Sequence, residues 1–293
     1  MSYTVILADC FSWMEAREEN SITAIVTDPP YGVKEYTEEE IAKQRQGKGG
    51  IWRIPPSFDG HHRKALPRFS VINDDPAERE NVYSFFYRWA KLAIRILVPG
   101  GHVFIASTPL LSDLLSRSMR DAGFERRGEI IRTVSTLRGG DRPKGAETEF
   151  SEVSVIPKGL WEPWGLYRKP VAEKTVAENL RLWGAGGLRR DTNSMPFCDF
   201  IESGKTPQLE RRIAPHPSIK PQTFLRKIVH ASLPLGTGVL LDPFSGSGST
   251  LAAADYWGYE SIGIEKDALF YQMSKEAIPR LAVLYPQQVS ISL

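Results

Sequence analysis

Short apolar runs bounded by turn residues alternate along this chain with stretches of helical period. Residues 4–7 read as a strand ending at Asp9, and residues 22–27 as a second strand ending at Asp28-Pro29-Pro30-Tyr31. Asp75, Pro76 and Glu78 have the pattern of an N-cap, a first helical proline and a capping box. The following helix sets Val82, Phe85, Phe86, Trp89, Leu92, Ala93 and Ile96 on one face, and Pro99-Gly100-Gly101 is predicted to stop it. Strand, helix, strand and strand are predicted over 102–107, 110–122, 129–135 and 150–156. From about 157 to 215 the period is lost, and Trp161, Trp164, Tyr167 and Trp183 stand among Gly, Pro, Arg and Lys. Regularity returns with a helix over 221–233, a strand over 238–241, a helix through Trp257, a strand over 261–264 and a helix from Asp267. Strand–helix alternation on both sides of an irregular segment predicts an α/β fold: a doubly wound, mainly parallel sheet with an insert.

Composition narrows the class. The chain has 293 residues, 41% hydrophobic and 25% charged, within the range of an ordinary globular protein. No apolar run approaches the ~20 residues of a spanning helix, and the first residues lack the pattern of a secretory signal, so a cytoplasmic location is expected. Cys10 and Cys198 cannot build a disulfide framework or a cysteine zinc site, and no metal is expected. The net charge of +2 suggests no polyanionic partner. Local charge says otherwise. Between residues 43 and 68, Lys43, Arg45, Lys48, Arg53, Arg63, Lys64 and Arg68 face one acid, Asp59, for a net of +6, whereas residues 242–276 carry −4.

The segment Asp242-Pro-Phe-Ser-Gly-Ser-Gly-Ser-Thr joins a predicted strand to a predicted helix, where glycines permit a tight turn and close backbone approach to a ligand. Glu265, 19 residues after Gly246, ends the next strand, where a carboxylate can accept from ribose hydroxyls. A nucleoside-containing cofactor is indicated. An ATP P-loop needs a lysine that is absent, and an NAD fingerprint needs a third glycine where Leu251 stands. S-adenosylmethionine remains, alongside the plain reading of a glycine-rich turn.

Asp28-Pro29-Pro30-Tyr31 ends a strand of the same sheet. Two prolines fix φ and leave carbonyls free to accept. An exocyclic amine is a poor nucleophile because its lone pair is delocalised into the ring. Accepting hydrogen bonds from both of its N–H groups favours the geometry in which that pair is available, and Asp28 with the Pro29 carbonyl can supply both acceptors. Tyr31 can stack on a base removed from the duplex. A proline turn at a strand end is the bland alternative.

With both motifs at strand ends, the sequence resembles the S-adenosylmethionine-dependent DNA amino-group methyltransferases. Asp-Pro-Pro-Tyr first and Asp-Pro-Phe-x-Gly-Ser-Gly last is similar to the circularly permuted β-class. The resemblance covers residues 4–150 and 216–280 and implies a seven-stranded Rossmann-like sheet in three segments. These are a catalytic half over 1–156, a target recognition insert over 157–215, and a cofactor-binding half over 216–293. It implies that Asp242, Phe244, Gly246 and Gly248 line the cofactor pocket, that Glu265 binds the ribose, and that Asp9 contacts the adenine. His216-Pro217-Ser218-Ile219-Lys220-Pro221 matches the family's His-Pro-Thr-x-Lys-Pro segment, with Ser218 in place of threonine. Lys220 is expected to pair with the cofactor carboxylate. Cys10, Ser249, Thr250 and Lys266 are included in the expected cofactor pocket; Cys10 is read as packing and not as a nucleophile. Asp at the first motif position implies adenine N6 as the methylated atom, and cytosine N4 is the alternative. A catalytically inert DNA-binding protein of the same fold is a third reading.

The resemblance also implies double-stranded DNA as partner, a flipped-out adenine, a homodimer and a restriction-modification context in which an endonuclease partner is open. The basic segment 43–68 is read as a DNA-binding loop. Arg138, Arg142 and Lys144 are read as phosphate contacts, and Arg189 and Arg190 as guanine or phosphate contacts.

Overall fold

The computed structural model describes residues 2–30, 76–109, 111–136, 143, 145–155, 157–216 and 218–285. Among the described residues, eight strands and eight helices form: β1 (Tyr3–Leu7), α1 (Cys10–Ala16), β2 (Ile22–Thr27), α2 (Pro76–Ile96), β3 (Leu97–Ala106), α3 (Ser112–Asp121), β4 (Glu125–Thr136), β5 (Gly159–Arg168), α4 (Val176–Trp183), β6 (Phe200–Ile201), α5 (Gln208–Ile213), α6 (Gln222–Ser232), β7 (Val239–Asp242), α7 (Ser249–Tyr256), β8 (Glu260–Glu265) and α8 (Ala268–Ala282). None of these helices is long and apolar enough to cross a membrane.

The strands form one sheet in the order β1-β8-β7-β2-β3-β5-β4-β6. All neighbouring pairs are parallel except those made by β5, which runs antiparallel to both β3 and β4. The expected α/β, mostly parallel sheet is therefore observed, with an eighth, two-residue strand beyond the seven expected. β2 is buried at every position, as befits a strand covered on both faces. One face packs under α1, α2 and α3 through Met14, Phe86, Trp89, Ile96 and Met119. The other packs under α6 and α7 through Phe224, Ile228, Val229 and Ala253, and α8 closes on α7 through Leu251, Ile278 and Leu281. The order of strands reverses between β7 and β2, which are paired although Asp28 and Asp242 are 214 residues apart in sequence. A doubly wound sheet leaves a ligand crevice at such a point.

Four sequence expectations need correction. The helix over 76–96 ends before Pro99-Gly100-Gly101, and β3 begins at Leu97, five residues early. The glycines form a bulge in that strand and do not stop the helix: β2 pairs Ile22 with Leu97 but Ala24 with His102. Gly100, at φ +81°, donates to the carbonyls of Lys169 and Pro170, and a Cβ there would lie 2.6 Å from Asn179 Nδ2. The strand expected over 150–156 is absent among the described residues: 150–152 are turn, with Phe150, Val153 and Val155 exposed. β4 starts at Glu125 and runs longer than expected. Within the segment expected to be an irregular insert, Gly159–Arg168 forms β5 inside the sheet, with Trp164 and Tyr167 in the core. Asp75, the expected N-cap of α2, lies outside the described residues.

Candidate active site

Three strand ends converge at the carboxyl edge of the sheet: Asp28 after β2, Asp242 at the end of β7 and Glu265 at the end of β8. Asp242 is 2% exposed. Its Oδ1 accepts the Thr27 hydroxyl at 2.7 Å and the Phe244 N–H at 3.1 Å. Burial raises its pKa to about 6; the Thr27, Thr250 and Phe244 donors oppose the rise and the nearby Asp28 charge adds to it. Expected as a pocket-lining residue, Asp242 instead sits beneath the glycine loop and ties it to the strand that carries Asp28.

The loop turns sharply at two glycines in left-handed conformation, Gly246 (φ +50°) and Gly248 (φ +81°), the latter capping α7. A Cβ on Gly248 would meet Ile278 Cγ1 at 2.5 Å, and one on Gly246 would press on the His216 ring at 3.1 Å. His216 also meets the Phe270 ring edge-on at 4.5 Å. Burial, with the Lys220 charge assisting and Asp267 opposing, lowers its pKa to about 4, so the imidazole over the loop is neutral near pH 7. Phe244 is half-buried against Trp89 and Phe85.

Glu265 receives one backbone N–H on each oxygen, Gly246 at 2.8 Å and Asp267 at 2.7 Å. A carboxylate offers about four lone-pair sites, so acceptors remain for a pair of hydroxyls. Asp9 is exposed at the end of β1 beside it, and its carboxylate caps α1 by accepting from Ser12 N–H. Ser249 Oγ, at the start of α7, is buried with no partner among the described residues, while Thr250 is bonded to Asp242. These residues fit a nucleoside cofactor: spare carboxylate acceptors, an aromatic face and an orphaned hydroxyl around a close-packed turn. Lys266 and Ser218 are exposed, and Cys10 is buried with its pKa pushed up to about 12 by desolvation, as a packing thiol requires.

Lys220 departs from its expectation. Its ammonium is bonded to the Asp28 carboxylate and lies 3.4 Å from Glu162 Oε1. Glu162, on β5, accepts from Arg132 Nη1 at 2.7 Å and from Trp164 Nε1 at 3.2 Å through its other oxygen. Burial alone would lower the Lys220 pKa, but Asp28 and Glu162 outweigh it and the net shift is upward. Burial likewise favours protonated Glu162, yet Lys220 and Arg132 hold it ionised. Sequence reasoning missed Glu162 and Arg132. Glu162 stands in Trp-Glu-Pro-Trp, without period, and only the antiparallel course of β5 brings its first residues to the carboxyl edge of the parallel strands.

Tyr31, Lys43, Arg45, Lys48, Arg53, Arg63, Lys64, Arg68, Arg138, Arg142 and Lys144 lie outside the described residues. Pro29 is buried and Pro30 exposed. Arg189 does not join the site. Its guanidinium lies against Gly236 and interacts with Tyr259, both of which precede parallel strands and so mark the opposite edge of the sheet. Arg190 bonds the Ser194 carbonyl nearby.

Residues 142–276 match the N6_N4_Mtase family model, DNA methylase. The type II methyltransferase M2.DpnII of Streptococcus pneumoniae is 21% identical over 279 residues, covering 94% of this chain and 88% of its own. Among solved structures, TTHA0409 of Thermus thermophilus complexed with S-adenosyl-L-methionine is 20% identical, covers 97% of this chain and 98% of its own, and superposes with a TM-score of 0.54. The cytosine-N4-specific PvuII DNA methyltransferase is 14% identical, covers 96% and 92%, and has a TM-score of 0.61. The fold is thus that of the DNA methyltransferases. The family match together with the relatives supports a DNA methyltransferase of the N6/N4 kind.

Proposed function

We propose that this protein transfers a methyl group from S-adenosylmethionine to the N6 amino group of a flipped-out adenine in double-stranded DNA. The observation that carries the reading is the meeting of Asp28 and the Asp242–Thr250 loop at the β2/β7 switch point, where acceptor and donor pockets must adjoin. When bound, S-adenosylmethionine supplies an electrophilic sulfonium methyl group. The chain's own part is positional. Asp28 and the Pro29 carbonyl accept from the two amine hydrogens and make the nitrogen lone pair available. Tyr31 stacks on the extruded base. Glu265 and Asp9 hold the nucleoside part of the cofactor, and the rigid glycine turn sets its depth. In-line approach of amine and methyl group then requires orientation more than a strong base.

The choice of adenine rests on Asp28, as the family resemblance implies. Cytosine N4 shares every other part of the arrangement. The relatives are named type II methyltransferases, and by extension this chain is proposed to act in a restriction-modification context with its endonuclease partner open; the cytoplasmic location and the homodimer are proposed from the family resemblance alone.

The test is incubation with labelled S-adenosylmethionine and unmethylated DNA, followed by identification of the labelled nucleoside. N6-methyl-2′-deoxyadenosine is expected. N4-methyl-2′-deoxycytidine would move the assignment to cytosine, and bound but unlabelled DNA would leave an inert binder. Asp28→Ala is expected to abolish labelling while cofactor binding persists.

A further inference from the structure

Asp28 belongs to a cluster of four charges drawn from four separate chain segments. Asp28 follows β2, Lys220 precedes α6, Glu162 is on β5 and Arg132 on β4. Their side chains are only 5–16% exposed, and the cluster holds two cations and two carboxylates. Burying these charges costs desolvation that their mutual attraction must offset, so removing a single member strands a buried charge.

The connections run in one direction. Arg132 is clamped by Ser203 Oγ at 3.2 Å, by the Gly204 carbonyl at 2.9 Å and by Phe224, whose ring lies 5.2 Å from the guanidinium. It donates to Glu162 Oε2, which also takes the Trp164 indole N–H. The remaining oxygen, Oε1, faces Lys220, and Lys220 bonds Asp28 Oδ2. Glu162 is thus rigid on its far side and offers its near side to the lysine. The lysine in turn fixes one oxygen of the carboxylate expected to receive the amine.

We propose, on the reading of Asp28 as the amine acceptor, that Glu162 is a positioning residue for methyl transfer. Acting through Lys220, it sets the direction in which the Asp28 carboxylate faces the target amine. Glu162 touches neither substrate nor cofactor in this scheme. Two carboxylates and a long bond to the Ser218 carbonyl at 3.5 Å fix the ammonium; without Glu162 its one remaining carboxylate is Asp28, with which it can swing. Among the described residues, the charged and titratable groups around Asp28 include Lys220, Glu162 and Arg132, with Asp242 on β7 and His216 over the glycine loop, and a change in the pH profile is apportioned with these in view.

The experiment measures kcat, cofactor dissociation constant and the pH dependence of kcat for wild type, Glu162→Gln, Lys220→Met, Lys220→Arg and Glu125→Gln. Glu125 pairs with Arg168 away from the site and serves as the control. Glu162→Gln is expected to lower kcat on the order of ten- to a hundredfold, the size of a small misplacement of a reacting group, with cofactor affinity unchanged. Lys220→Met is expected to move the acid limb of the kcat profile to higher pH, because a carboxylate without its cation is more easily protonated. Lys220→Arg keeps the cation and leaves that limb in place. Wild-type kcat in Glu162→Gln, or a fall matched by weaker cofactor binding, overturns the positioning role. A wild-type protein that labels no DNA instead defeats the enzymatic reading. Should Glu162→Gln not fold, the Lys220→Met and Lys220→Arg profiles decide: identical acid limbs overturn the proposal.

Discussion

The Thr27 hydroxyl donates to the Asp242 carboxylate across β2 and β7 at 2.7 Å, so the residue next to Asp28 is bonded directly to the base of the glycine loop. Thr27→Val removes a donor from a fully buried acceptor. The expected loss is about 1–3 kcal/mol of stability, read in denaturant unfolding, with a larger fractional loss of activity than Val produces at the exposed Thr192.

Asp242 makes folding pH-dependent in a direction opposite to that of a paired carboxylate. Its pKa rises from 3.8 to about 6 on folding, chiefly through burial. The native state therefore holds a proton that the unfolded chain releases first. This group's contribution is full below about pH 4 and is lost as pH rises through about 6. Asp242→Asn keeps an acceptor for Thr27 and Phe244 but carries no charge. Its melting temperature relative to wild type is expected to rise between pH 4 and pH 7. A difference independent of pH would show that Asp242 is not desolvated as described.

Gly248→Ala combines a left-handed backbone with a 2.5 Å clash on Ile278. Gly258, at φ +70° with nothing within 4 Å of its notional Cβ, isolates the backbone part. Gly258→Ala is expected to cost roughly 1 kcal/mol without affecting cofactor binding. Gly248→Ala is expected to cost several kcal/mol, since strain and overpacking add, and to weaken cofactor binding. Calorimetric melts and cofactor titration of the two variants check this.

Arg226 holds the end of α8. Its guanidinium donates to the carbonyls of Leu281, Ala282, Leu284 and Tyr285 at 2.7–3.2 Å and stacks 3.6 Å from the Tyr256 ring centre. Leu281 and Ala282 end α8 and Leu284 and Tyr285 follow it, where carbonyls run short of backbone donors. Arg226→Met is expected to destabilise by about 2–4 kcal/mol, because several acceptors lose a charged donor at once. Arg226→Lys, with a point charge in place of the planar fork, recovers only part of it.

The basic residues over 43–68 remain a prediction from charge alone. Replacing Lys43, Arg45 and Lys48 with Gln should weaken DNA binding at every sequence and reduce the log–log salt slope by about 0.9 for each phosphate no longer neutralised, with cofactor affinity unchanged. A slope equal to that of wild type would remove the segment from the interface.

Strand ends whose chemistry is local were readable. Residues 22–27 are predicted at the bounds of β2 because a β-branched, mostly apolar run is closed by Asp-Pro-Pro, and α8 begins after Asp267 as its capping carboxylate predicts. β5 was not readable. Its last six positions are buried on both faces, which erases any alternation, and Pro163 demotes a strand on sequence grounds. Pro99-Gly100-Gly101 looked like a helix stop and proved to be a bulge, since a backbone that turns away from a helix and one that bulges in a strand ask for the same residues. In the site, Asp28, Asp242 and Glu265 announced themselves by motif. The Lys220–Glu162–Arg132 chain did not, because its members come together only through the antiparallel return of β5.

The place of β7 and β8 in the sheet has a consequence for biosynthesis. Made in order from the N-terminus, β1 and β2 leave the ribosome long before the two strands that separate them in space. One edge of β2 stays unpaired until residue 242 emerges, and β1 has no neighbour until residue 265 does. An apolar strand with an open edge is a template for association with other chains. The nascent polypeptide therefore stays exposed to aggregation until β7 and β8 have both emerged and the sheet has closed. The same geometry makes two separately expressed pieces, broken between α6 and β7, candidates for reassembly, since the seam between them is the pairing of β1, β8, β7 and β2.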